Sequence, residues 1–179
     1  MVSAVCGGVR VASLYAPNGR EVGSPFFEGK LRWFERLSRW LAETRSPDEP
    51  LVLGGDYNVT PADIDVWSPA RAHGGTHVSE PEREALARLR GWGLVDTYRM
   101  QRPEAGRFSW WDYRAGMFHR NEGMRIDLLY ATAPVASRDV EAMQRLEIAR
   151  AKVANNLNDQ ALADLKQILI DYPGSRAAA

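Results

Sequence analysis

The stretch LVLGGDYNVTP, residues 51 to 61, brings an acid and an amide two positions apart, Asp56 and Asn58, just after an apolar run and a glycine pair. Side chains two residues apart at the end of a strand point to the same side, so both can serve one site. A carboxylate there suits a hard cation or a proton to be moved. An amide can donate to a developing oxyanion or ligate a metal through its carbonyl. The other reading of Asp-x-Asn is an Asx turn leading into the next loop.

Four further groups belong with this pair. Asp127 sits inside the apolar segment RIDLLYA, where a carboxylate is costly unless it is paired or hydrogen-bonded. Arg125 shares its face and is the expected partner if the role is structural. Tyr15 ends the strand-like run VRVASLY and is expected to present its hydroxyl at a sheet edge, although interfacial packing is the commoner use of such a tyrosine. Asn18, Arg20 and Lys30 supply polar or positive groups suited to phosphate, or simply a solvated surface. In FSWWDYR, Trp110 and Trp111 fall on opposite faces of a strand, so one can be core while the other stacks on a base or sugar. His73, His77 and His119 have no metal-ligand spacing and read as loop residues.

The elements that must position these residues are legible. VSAVC and VRVASLY flank Gly7-Gly8 as a hairpin. Leu31, Phe34, Leu37 and Leu41 recur at helical spacing between Gly29 and Arg45, after a loop over residues 16–25. LVLGG reads as a strand buried on both faces, followed by a loop over 59–78. Ser79 and Glu82 have capping-box spacing at the start of a helix running to about Gly91. GLVDTYR, FSWWDYR and MRIDLLYA are then three strand-like segments. Beyond residue 138 only Tyr172 is aromatic, and 139–170 lacks Gly and Pro. This reads as a helical hairpin broken near 155–158, so the expected division is 1–137 and 138–179.

Bulk properties narrow the function. Lys plus Arg and Asp plus Glu balance at 23 each, so any site for a polyanion must be a local patch. The single cysteine, Cys6, fits a reducing compartment. No apolar run approaches the roughly 20 residues of a membrane span, and no signal peptide is evident. The expectation is a cytoplasmic protein with no membrane partner.

LYAPNGREVGS, KLRWFERL, GGDYNVTPADIDVW, SEPEREAL, GLVDTYR and FSWWDYRAGMFHRNEGMRIDLLYA, in that order, closely resemble the exonuclease III family of abasic-site endonucleases over residues 5 to 135. These belong to the endonuclease/exonuclease/phosphatase superfamily. The resemblance implies an α+β fold, part of the DNase I-like four-layer α/β sandwich. It implies magnesium-assisted hydrolysis of DNA phosphodiester bonds, with manganese as the alternative ion. Double-stranded DNA with abasic sites or 3′ ends is the implied partner. Tyr15 resembles the family's active-site tyrosine, and Asp56 its proton donor or acceptor and metal contact. Asn58 resembles the metal-site amide that stabilises the pentacovalent phosphate, and Asp127 the acid supporting the catalytic network. Trp110 and Met124 correspond to the pocket wall for an extruded sugar. Asn18, Arg20 and Lys30 fall where the family touches the DNA backbone.

The family also uses an N-terminal asparagine strand, a metal-binding glutamate strand and a closing Ser-Asp-His segment, none of which is found in these 179 residues. In place of the last stands a tail in which QALADLKQILIDYPGS resembles part of a tetratricopeptide-type repeat. The expectation is a nuclease domain carrying about the second half of the fold, weakly active or inactive alone and prone to self-association through exposed sheet edges. A DNA- or partner-binding fragment without catalysis and a superfamily phosphatase are the alternatives.

Overall fold

The computed structural model describes residues 1–154 and 158–172, and it divides after Ala133 into two compact units. The first unit is built on a mixed sheet. Strands β1 (Val2–Cys6) and β2 (Val9–Tyr15) form the expected hairpin. Helix α1 (Pro25–Thr44) then crosses over to β3 (Leu51–Asp56), which pairs parallel to β2. The sheet is completed by β7 (Asp127–Thr132), antiparallel to β3, and β4 (Leu94–Asp96), antiparallel to β7, in the order β1-β2-β3-β7-β4.

Helix α1 begins four residues before the sequence reading placed it. Ser24 caps it by accepting from Phe27 N (3.2 Å), and Pro25 occupies the first turn, where its missing N–H costs nothing. Its buried stripe is Phe27, Lys30, Phe34, Leu37 and Leu41, a 3-4-3-4 spacing that includes a lysine. Helix α3 (Glu80–Trp92) follows the short α2 (Pro69–Ala72) and opens on the expected Ser79–Glu82 pairing, with Glu82 accepting from Ser79 N (3.1 Å). It stops at Gly93, whose φ of 128° suits glycine.

The core joins Ala12, Leu14, Leu51, Leu53, Leu128 and Tyr130 of the sheet to Phe34, Leu37 and Leu41 of α1 and Leu86 and Leu89 of α3. Each such Leu or Phe contributes on the order of 1.5–3 kcal/mol of transfer free energy. Alternation along β3 follows: Leu51 and Leu53 are buried against the helices, while Val52, Gly54 and Asp56 are half-buried on the opposite face. That corrects the reading of LVLGG as buried on both faces. On the same open face Val11 and Leu129 are exposed.

Three strand expectations are also modified. GLVDTYR gives only β4 before Asp96 accepts from Arg99 N (3.2 Å) and starts α4 (Thr97–Gln101). FSWWDYR contributes the two residues of β5 (Trp110–Trp111). MRIDLLYA divides between β7 and the short β6 (Gly123–Met124), which pairs with β5 in a separate ribbon.

In the second unit, α5 (Ala133–Ala154) and α6 (Asn158–Asp171) meet through Ala142 and Ile168, with Leu165 and Tyr172 alongside. Arg145 bonds Asp171 (2.8 Å) and Glu141 (2.9 Å). The expected break near 155–158 falls mostly outside the described residues. Among those described, no helix is long and apolar enough to cross a membrane.

Candidate active site

Strand register assembles the site. Tyr15 of β2 lies beside Asp56 of β3, and Asp56 lies opposite Asp127 of β7. Directly paired residues share a face, so the three side chains form one row across three adjacent strands, on the face opposite the one packed against α1 and α3. Tyr15 is 66% exposed at the carboxyl rim of the sheet; β2 is an inner strand, so the residue is not at a sheet edge as expected. The close approach of β2 and β3 beneath the row depends on Gly55 (φ 142°), where a Cβ would sit 2.0 Å from Leu14 O.

After Asp56 the chain leaves the sheet abruptly. Tyr57 turns into the core, its hydroxyl donating to Leu53 O (3.1 Å) and its ring meeting Tyr130 edge-on. Asn58 then adopts φ 52°, a left-handed conformation that asparagine tolerates better than most residues. Its N–H donates to Asp56 Oδ1 (2.8 Å), and its side-chain Nδ2 donates to Asp56 Oδ2 (3.2 Å) and Ala16 O (2.9 Å). Both readings of Asp-x-Asn therefore hold at once: there is an Asx turn, and the same two side chains share a site. Asn58 Oδ1 accepts from Asn18 Nδ2 (3.2 Å), which draws Asn18 into the cluster.

Burial lifts the Asp56 carboxyl above its ordinary range; the Asn58 N–H pulls it back, and the charge of Asp127 pushes it up again. Two carboxylates facing one another across strands, one of them partly desolvated, favour a cation between them. One or two carboxylates, with water and substrate phosphate completing the sphere, is the usual protein contribution to a magnesium site. Among the described residues no set of three or more His, Cys, Asp or Glu side chains is arranged around a metal. The donors present thus fit a cation shared with substrate better than a closed protein cage. Asn58 turns its amide nitrogen, not its oxygen, toward Asp56.

The ribbon of β5 and β6 flanks the row. Trp110, 40% exposed, pairs with Met124, and Ser109 Oγ accepts from the N–H groups of Ile126 and Asp127 (3.0 Å each). Trp111 turns the other way, against Phe108 and Phe118. The expected Arg125–Asp127 partnership is not formed. Arg125 is buried and spans Asp65 (2.6 Å) and Asp96 (2.7 Å), leaving Asp127 free to face Asp56.

Two of the expected DNA-backbone contacts lie outside the row. Arg20 stacks its guanidinium 3.7 Å over the Phe26 ring at the surface. Lys30 is fully buried and its ammonium is spent on Glu82, Asn58 O (2.6 Å) and Asn18 O (3.3 Å), so a surface phosphate contact is not open to it. Its place in the apolar stripe of α1 was the signal. His77, read from sequence as a loop residue, is buried with its ring on Asn58 O. Nothing in its sequence context predicted that.

The chain belongs to the endonuclease/exonuclease/phosphatase family, whose model matches residues 3–148. It is 38% identical over 120 residues to an exodeoxyribonuclease of Bacillus subtilis, covering 66% of this chain and 47% of that protein. Among solved structures it is similar to a 3′ phosphatase from Neisseria bound to product DNA hairpin (TM-score 0.71, 36% identity, 75% of this chain and 52% of that one). It is equally similar to an AP endonuclease from Archaeoglobus fulgidus (TM-score 0.71, 34% identity, 75% and 53%). The chain spans about half the length of the relatives it matches. Its mixed α/β architecture is that of these nucleases.

Proposed function

We propose that this chain carries one part of the active site of a DNA-repair phosphodiesterase acting on double-stranded DNA at abasic sites or 3′ ends. The observation that supports it best is the row Tyr15–Asp56–Asp127 with Asn58 bound to Asp56. It places a phenol, two carboxylates and an amide on one open face beside the exposed Trp110. Asp56 Oδ2 is the proton-handling atom, its orientation fixed from two sides by Asn58. Tyr15 offers a hydroxyl donor to a phosphate oxygen, and Trp110 with Met124 offers an apolar wall for an extruded sugar.

Asp56 and Asp127, with Asn58 at their side, would hold a divalent ion, magnesium or manganese, which when bound supplies charge neutralisation at the phosphoryl oxygen. The ring of His77 is committed to Asn58 and is not offered to the row. Catalytic groups that act as a unit lose far more than their separate shares when some are missing. Cleavage by this chain alone is therefore expected to be negligible beside that of a full-length relative, with binding retained.

A fluorescent duplex carrying one abasic site, titrated with magnesium, tests this by measuring binding and cleavage separately. Salt-sensitive binding that weakens in Tyr15→Phe and Trp110→Ala supports the reading. Binding indifferent to all of these substitutions sinks it, and release of inorganic phosphate from a small phosphate ester alone would favour a phosphatase.

The open face and the edge strand β1, whose five residues are all exposed, also support self-association. Sedimentation across a concentration series tests it; a strictly monomeric profile is the contrary result. The exposed lone Cys6 supports a reducing, cytoplasmic setting.

A further inference from the structure

Asn58 carries the polar geometry of the row, yet its own backbone sits in a conformation that costs a non-glycine residue free energy unless its surroundings impose it. The carbonyl of Asn58 points away from the row into the interior. There it accepts two charged or ring donors, Lys30 Nζ at 2.6 Å and His77 Nδ1 at 2.5 Å. A carbonyl only accepts, so Nδ1 is the protonated ring nitrogen.

Each donor is itself held. Glu82 binds the Lys30 ammonium and accepts from His77 N (3.1 Å), while its other oxygen takes Ser79 Oγ (2.5 Å) and Ser79 N (3.1 Å). The carbonyl of His77 accepts from Thr60 N (2.7 Å) and Thr60 Oγ1 (2.8 Å). The His77 ring also lies 6.4 Å from that of Trp110, so one side chain spans the aromatic wall and the amide beside Asp56.

We propose that His77, together with Lys30 and Glu82, is a positioning device for Asn58: the clamp on its carbonyl holds the left-handed turn that aims its amide at Asp56. The inference rests on the phosphodiesterase reading for its purpose, but its test needs neither metal nor DNA. A purely structural role for His77 would change the melting midpoint and leave the Asn58 amide where it is while the protein stays folded.

The experiment uses the full ¹⁵N-labelled chain. The side-chain amide pair of Asn58 is assigned by its disappearance in Asn58→Asp, and its solvent exchange is measured by NMR alongside a circular-dichroism melt. His77→Phe keeps the ring and the Trp110 contact but removes the donor. Exchange of the Asn58 side-chain protons is expected to accelerate about fivefold to tenfold, the factor one net hydrogen bond represents. His77→Asn, whose amide nitrogen replaces Nδ1, is expected to restore protection.

Unchanged exchange in folded His77→Phe overturns the proposal, whatever its melting midpoint. Should His77→Phe not fold, His77→Asn is compared with His77→Gln, which carries its donor one methylene further out. Protection in Asn alone supports the clamp, and equal exchange in both overturns it. Loss of DNA binding with the amide still protected would count against the phosphodiesterase reading only.

Discussion

Asp56 and Asp127 stand in direct cross-strand register on β3 and β7, two carboxylates on one open face, with Tyr15 in the same register on the far side of Asp56. Like charges directly opposite one another in a sheet oppose folding by about 0.2–1 kcal/mol. Asp127→Asn is therefore expected to raise the unfolding free energy of the metal-free protein by about 0.2–1 kcal/mol. Magnesium should stabilise the wild type as it binds the folded state, and should stabilise this variant less. Urea melts with and without magnesium chloride measure both effects. Equal gains in the two proteins would count against a cation shared by the pair.

The buried Lys30–Glu82 pair makes a second expectation. Burial pushes the Lys30 ammonium below the ordinary lysine value, against the pull of Glu82. Removing one partner strands the other, at a cost of about 3–5 kcal/mol, whereas replacing both costs less. Lys30→Met should thus destabilise strongly, and Lys30→Met with Glu82→Gln should lose less than the two single changes together. A double-mutant cycle in urea gives the coupling; additive losses would mean that the pair is not the unit described.

Gly55→Ala is expected to cost at least about 3 kcal/mol, combining backbone strain with overpacking. The new methyl would meet Leu14 O at 2.0 Å. Gly54→Ala meets only the Leu129 side chain, at 3.0 Å, and should be milder because that side chain can move. Comparing the two urea midpoints decides whether the β2–β3 approach is the tight one.

Hydrogen bonds from the Arg114 side chain and then from its backbone N–H hold the Asp112 carboxyl at about 2, below the ordinary 3.8. Since the folded value is depressed, whatever stability this interaction contributes is present above 3.8 and lost as pH falls through about 2. Carboxyl carbon titration by NMR should give Asp112 a midpoint near 2 that moves upward in Arg114→Ala. The five-stranded sheet, to which neither residue belongs, should be unaffected.

Much of the fold was legible from periodicity and caps. The β1–β2 hairpin, the apolar face of α1 and the Ser79–Glu82 helix start all follow from local chemistry. The pairing of Asp56 with Asn58 was legible too, because two residues at a strand end share a side. What was hidden depends on partners distant in sequence. Arg125 is two residues from Asp127 yet bonds Asp65 and Asp96, since it lies between β6 and β7 and outside the strand that carries Asp127. Lys30 looked like a surface cation because a lysine in an apolar stripe is costly without Glu82, fifty-two positions away. His77 gains its role only when the loop after α2 folds back beneath Asn58.

The row across β2, β3 and β7 has a consequence for how this gene can change length. Side chains alternate along a strand, so adding or removing one residue inside β3 would send Asp56 to the helix-packed side of the sheet. The same holds for Tyr15 within β2 and Asp127 within β7. Segment 113–122, which lies between β5 and β6, carries none of the three residues and sets none of their registers. Insertions and deletions should therefore be tolerated there and purged from the three strands, making the site far more sensitive to chain length in the sheet than in segment 113–122.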